Sequence, residues 1–214
     1  MPNYQENIVP AQNQNRADIF IYGEGRPRVL FVGNSITKHA PKPDIGWTRD
    51  CGMAASCLEN DYVHIFGREY TKKHPGASYG ILQAANFERG FADFDIEGRY
   101  RDAIEWAPDV VIMFFGANVS HEYDAAEAPE VRFGDRYEAL RNALGRGGAR
   151  FYHAEGFYLR PKLTEERRAV CDKYGDVWIG MGGINDLPEA HGQFNHPGDL
   201  GMRLIAERML EYVD

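Results

Sequence analysis

Ser35, Asn118 and His196 are the side chains of this sequence whose types could together carry out acyl transfer. A serine hydroxyl attacks a carbonyl carbon once a neutral imidazole can take its proton, and a side-chain amide can donate to the oxyanion that the attack creates. No two of them are neighbours in the chain. What links them is the punctuation around each. Ser35 closes the run Val29-Leu30-Phe31-Val32-Gly33-Asn34, Asn118 follows Phe114-Phe115-Gly116-Ala117, and His196 stands immediately before Pro197 and a helical pattern.

Positioning such residues falls to the elements that end at them. A short Val-rich apolar run ended by a turn signal reads as a strand buried on both faces, as in a parallel sheet. In open α/β sheets the carboxyl ends of such strands are where ligands bind. The same turn has a plainer use, in which Asn34 and Ser35 hydrogen-bond their own backbone. The run from Asp109 to Phe115 predicts the central strand, and further strands are expected over 79–85, 150–153 and 177–181, with a short edge segment over 18–22. Spacings of three and four predict helices over 47–70, broken near Asn60, and over 100–106 and 133–144. Two more are expected over 164–174, with Thr164 as N-cap, and over 197–212, with Leu200, Leu204, Ile205 and Met209 on one face. Residues 86–90 read as a strand-end loop. Alternating strands and helices imply a mainly parallel sheet of about five strands with helices on both faces. With no internal repeat and no linker, residues 18–214 read as one domain behind a polar arm over 1–17.

Composition removes several partners. A formal charge of −8 argues against nucleic acid, because phosphate binding needs a basic surface. No apolar run approaches the roughly 18 residues of a membrane span. The polar stretch from Met1 to Asn15 has no secretory pattern, and Cys51, Cys57 and Cys171 lack a CxxC spacing. Reduced, structural thiols in a cytoplasmic protein are therefore expected. The histidines His39, His64, His74, His121, His153 and His191 include no HxxxH pair, so no metal site is predicted and no cofactor is implied. Trp47, Phe87, Tyr158 and Trp178 could stack on a sugar ring, although aromatic residues more often fill a core.

Gly33-Asn34-Ser35-Ile36 resembles the Gly-Asp-Ser-Leu block of the GDSL, or SGNH, hydrolases. Gly116-Ala117-Asn118 is similar to their Gly-x-Asn-Asp block, and His196-Pro197 to the closing Asp-x-x-His-Pro block, in the same order over residues 28–212. The resemblance implies a three-layer α/β/α sandwich of flavodoxin-like type. It also implies Ser35 as nucleophile, His196 as its base, and an oxyanion hole formed by the Ser35 amide, a backbone amide of a second block and the Asn118 side chain. The expected activity is ester hydrolysis releasing a short acyl group, by family analogy an O-acetyl group on a carbohydrate. Two other readings stay open: a lipid or thioester hydrolase on the same residues, and a flavodoxin-like binding module without activity.

The chain departs from the family pattern twice. In Ala84-Ala85-Asn86-Phe87-Glu88 the position of the second-block glycine falls on Glu88, or in another register on Gly90; Glu88 could alternatively bind substrate or pair with an arginine at the surface. At position 193, where the family carries Asp, this chain has Gln193. A Ser-His dyad follows, oriented by the Gln193 side chain or by a backbone carbonyl. Asp199, expected to cap the last helix, and Asp186 or Glu189 are the other available acids.

Overall fold

A computed structural model describes residues 19–214; the arm expected over 1–17 lies outside the described residues. Six strands form one sheet: β1 (Ile19–Tyr22), β2 (Arg28–Gly33), β3 (Ser78–Gln83), β4 (Val110–Phe114), β5 (Arg150–Ala154) and β6 (Val177–Ile179). Their order across the sheet is β1-β3-β2-β4-β5-β6. Five strands are parallel, and β1 adds an antiparallel edge to β3, from Ile19 opposite Leu82 to Tyr22 opposite Tyr79. The expected five-stranded parallel sheet thus gains a sixth strand from the predicted edge segment.

Past Arg28, β2 is apolar, as β4 is throughout, because both their faces are covered. Val29 and Phe31 point into a core shared with Ile112, Phe66, Ile205 and Met209, and Leu30 and Val32 into a second core with Val111, Met113, Phe133 and Leu163. Fully burying such a side chain stabilises the fold by about 1.5–3 kcal/mol. Helices α1 (Tyr62–Lys73) and α8 (Asp199–Leu210) pack together over the first face. On the second lie α2 (Ala85–Gly90), α3 (Ile96–Arg99), α4 (Arg101–Trp106), α5 (His121–Ala125), α6 (Phe133–Leu144) and α7 (Pro161–Tyr174). The result is a three-layer α/β/α sandwich.

Several boundaries differ from expectation for identifiable reasons. Residues 47–61 form a loop with a single 3-10 turn, in which Trp47, Cys51, Met53 and Ala55 are buried in the core shared with α1 and α8. The helix starts only at Tyr62, where Asp61 accepts from the His64 amide at 2.9 Å as N-cap and from the Gly52 amide at 3.1 Å. α7 begins at Pro161, a residue whose missing N–H costs nothing at the first helical position, and not at Thr164. α8 begins at Asp199, whose carboxylate does not cap it; it accepts instead from the Ser56 amide at 2.7 Å and from Asn60 Nδ2 at 3.1 Å. The buried face of α8 is Gly201, Met202, Ile205, Ala206 and Met209, so Leu200 and Leu204 are only half-buried. Residues 85–90 are helical, which changes the part Glu88 can play.

Candidate active site

Strand register brings three chain segments to one edge of the sheet. Gly33 pairs with both Gln83 of β3 and Phe114 of β4, so the residues just beyond each strand leave the carboxyl edge at the same level. The chain runs from β2 to β3 on one side and reaches β4 on the other, which opens a crevice at the ends of β2 and β4. Glycine is required at position 33, where a Cβ would lie 1.7 Å from the Thr37 hydroxyl oxygen, and Gly116 turns the chain with φ +133°.

Ser35 and His196, 161 residues apart in the chain, meet in this crevice with Ser35 Oγ 2.8 Å from His196 Nε2. On the other side of the ring, Nδ1 lies 2.9 Å from the Phe194 carbonyl oxygen. A carbonyl can only accept, so Nδ1 carries the proton and Nε2 presents its lone pair to the serine hydroxyl. Burial pushes the His196 pKa below its ordinary 6.5; the Phe194 carbonyl pulls it up and the charge of His39 pushes it down. The ring is therefore neutral at neutral pH and able to accept a proton.

The Phe194 carbonyl reaches the ring through an unusual turn. Phe194 and Asn195 both take left-handed backbone conformations, with φ of 58° and 56°. For residues with a Cβ this conformation costs about 1–2 kcal/mol each. Closing the turn, the His196 amide donates to the Gln193 carbonyl at 3.0 Å, and the Gly192 amide to the His196 carbonyl at 2.6 Å. The Gln193 side chain is exposed and, among the described residues, makes no hydrogen bond to His196, so the group at Nδ1 is a backbone carbonyl. Asp199 is engaged with the 56–60 loop, and Asp186 and Glu189 are exposed on their own turns.

Glu88 enters the site through its side chain and not its amide. That amide donates to the Ala84 carbonyl at 2.9 Å inside α2, which removes it from an oxyanion hole. Its carboxylate is fully buried and accepts from three donors: Asn34 Nδ2 at 2.9 Å, the Gly116 amide, and Asn118 Nδ2 at 2.5 Å. Arg89 donates to Asn118 Oδ1 at 3.3 Å. An acceptor on one side and a donor on the other leave the Asn118 amide a single orientation, with its second Nδ2 hydrogen uncommitted. The Ser35 amide has no acceptor among the described residues. Gly90, the other register, has open space around it at the end of α2 and touches none of these groups.

Two arginines that carry no motif complete the frame. Arg167, 2% exposed, donates from Nη1 to the carbonyls of Phe115 at 2.8 Å and Ala154 at 3.1 Å, tying the ends of β4 and β5. Arg160 pairs with Asp124 at 2.6 Å and donates to the Val119 carbonyl at 3.0 Å, holding the loop beyond Asn118. A narrow cleft beside the Ser35 turn is lined by Asn34, Ile36, Phe114, Gly116, Phe157 and Tyr158. Trp47 and Phe87 are buried in the core and Trp178 sits against Arg167 and Arg168, so of the four aromatic candidates only Tyr158 reaches the site. Among the described residues no cluster of three His, Cys, Asp or Glu side chains could hold a metal ion.

Known structures share this architecture at low identity. A candidate GDSL-like lipase from Bacteroides uniformis aligns with a TM-score of 0.56 at 19% identity, over 89% of this chain and 96% of that one. A candidate lipolytic protein of the G-D-S-L family from Desulfitobacterium hafniense aligns at 0.59 and 15%, over 88% and 100%. The chain has the fold of the GDSL hydrolases. Within that fold, a family two carbohydrate esterase from Cellvibrio japonicus aligns at 0.53 and 13%, over 87% of this chain and 60% of that one. No protein-family model matches the chain, and no curated protein sequence does. Among the described residues no helix is long and apolar enough to cross a membrane.

Proposed function

We propose that the protein is a serine ester hydrolase with the GDSL fold, in which Ser35 is the nucleophile and His196 the base. The observation that carries this reading is the 2.8 Å approach of Ser35 Oγ to the lone-pair nitrogen of His196. His196 takes the hydroxyl proton as Oγ bonds to the ester carbon. The oxyanion accepts from the Ser35 amide and from Asn118 Nδ2. When the ester C–O bond breaks, the alcohol leaves with the proton held on Nε2. Water then enters by the same proton transfer and releases the acid. Glu88 acts by orienting Asn118, a side-chain role in place of the backbone donor that the family pattern suggests.

For substrate, the small size of the cleft beside the Ser35 turn supports a short acyl group, and an O-acetyl group on a carbohydrate accords with the fold shared with a carbohydrate esterase. One observation favours a lipid or thioester instead: Leu159, next to Tyr158, is 85% exposed, and Phe194 is 42% exposed, which gives the mouth apolar edges. Hydrolysis of p-nitrophenyl esters from acetate to octanoate, by wild type and Ser35→Ala, separates these readings. Short-chain activity that is lost in Ser35→Ala, with the melting temperature kept within a few degrees, is the expected result. Activity surviving in Ser35→Ala rules out Ser35 as nucleophile, and a maximum at octanoate rules out the short-acyl assignment.

A further inference from the structure

We propose that Tyr158 is the positioning residue of the His196 base, taking with the Phe194 carbonyl the place that a carboxylate holds in a Ser-His-Asp triad. This inference rests on the reading of Ser35 and His196 as nucleophile and base. Tyr158 Oη lies 2.9 Å from the Asn195 carbonyl oxygen and 3.3 Å from His196 Nδ1. The phenol has one proton, and the Asn195 carbonyl can only accept it. Oη therefore turns a lone pair toward Nδ1, where it can accept from the same N–H that bonds to the Phe194 carbonyl. Every hydrogen in this chain has one place: Oη–H on Asn195, Nδ1–H shared between Phe194 and Tyr158, Oγ–H on Nε2.

Tyr158 also acts on the turn itself. The left-handed pair Phe194 and Asn195 carries the carbonyl that faces the ring, and the bond from Oη to Asn195 fastens that pair to the 155–160 loop. The ring of Tyr158 stands edge-on to His196, with centroids 6.1 Å apart and planes at 77°, and edge-on to Phe157 at 5.2 Å. The phenol oxygen and the carbonyl of the turn thus meet the imidazole at the same atom, Nδ1, opposite the nitrogen that faces Ser35. Neither group carries a full charge, so the pair selects the tautomer without the electrostatic stabilisation of imidazolium that an aspartate supplies.

Tyr158→Phe removes only Oη and keeps the ring packing. Two measurements on it test the assignment. In nitrogen-detected NMR of the histidine rings at neutral pH, wild-type His196 is expected as a single Nδ1–H tautomer, and Tyr158→Phe as a mixture with Nε2–H. In p-nitrophenyl acetate hydrolysis, kcat is expected to fall about tenfold with KM unchanged, the size of one hydrogen bond lost from the base. A residue that served the fold alone would lower the melting temperature and leave both readouts where they were. An unchanged tautomer in Tyr158→Phe overturns the proposal, as does an unchanged kcat in an enzyme that Ser35→Ala inactivates. The NMR arm stands without any turnover, so a failure to find ester hydrolysis and a failure of this inference give different results.

Discussion

Glu88→Gln is the substitution that separates most sharply a carboxylate that orients Asn118 from one that merely fills space. The change conserves volume, yet it replaces one acceptor by a donor at a position where three N–H groups converge. If the Gln oxygen keeps Asn34 and Gly116, its NH2 faces Asn118 Nδ2, donor against donor. Asn118 can escape by rotating its amide, but its other side then points Nδ2 at Arg89, which is also a donor. Either way Asn118, the proposed oxyanion donor, loses its fixed orientation. Removing such a donor costs about 10² to 10³ in turnover. The lost charge-assisted bond should lower stability by about 1.5–3 kcal/mol. Steady-state hydrolysis of p-nitrophenyl acetate gives the first quantity and urea unfolding the second. The decisive comparison is with Asn118→Ala: if Glu88 acts through Asn118, the double variant is no slower than Asn118→Ala alone. Wild-type kcat in Glu88→Gln, or fully additive losses in the double variant, refutes the reasoning.

The pH dependence follows from His196. Burial holds its pKa below 6.5, and only the neutral ring accepts a proton, so kcat/KM should rise along an acid limb with a midpoint under 6.5 and then level off toward pH 8. A limb centred above 6.5 contradicts the arrangement. Folding stability should move in the same direction, since burial also lowers the pKa of His153. Between the depressed folded values and 6.5 the unfolded chain binds more protons, so urea midpoints should drop as pH falls through that window. Gln193→Ala should leave kcat within about twofold, because the side chain at 193 is exposed and surface changes of this kind stay within about 0.5 kcal/mol. A tenfold loss there would place the Gln193 side chain against the base.

Local physics made much of this protein legible in its sequence. The apolar runs of β2 and β4 had to be strands buried on both faces, since nothing polar interrupts them, and Gly33 and Gly116 had to end them. The helix over 133–144 and the strand starting at Arg150 were set by spacing and by the glycines between them. Ser35, Asn118 and His196 could be selected because their types suit one reaction and each follows or precedes such punctuation. What sequence could not decide was everything that depends on partners distant in the chain. Residues 47–61 satisfied helical spacing yet fold as a loop, because burial under α1 and α8 stabilised Trp47 and Met53 without a helix. Glu88 stood at the position of a backbone donor, and only the convergence of Asn34, Gly116 and Asn118 shows that its carboxylate is what matters. For the group that orients His196 the sequence offered the acids, the Gln193 side chain or some backbone carbonyl; it is the carbonyl of Phe194, aimed by two left-handed residues, beside a phenol 38 positions away. Backbone groups are the same in every residue, so where they point is written only in the tertiary structure.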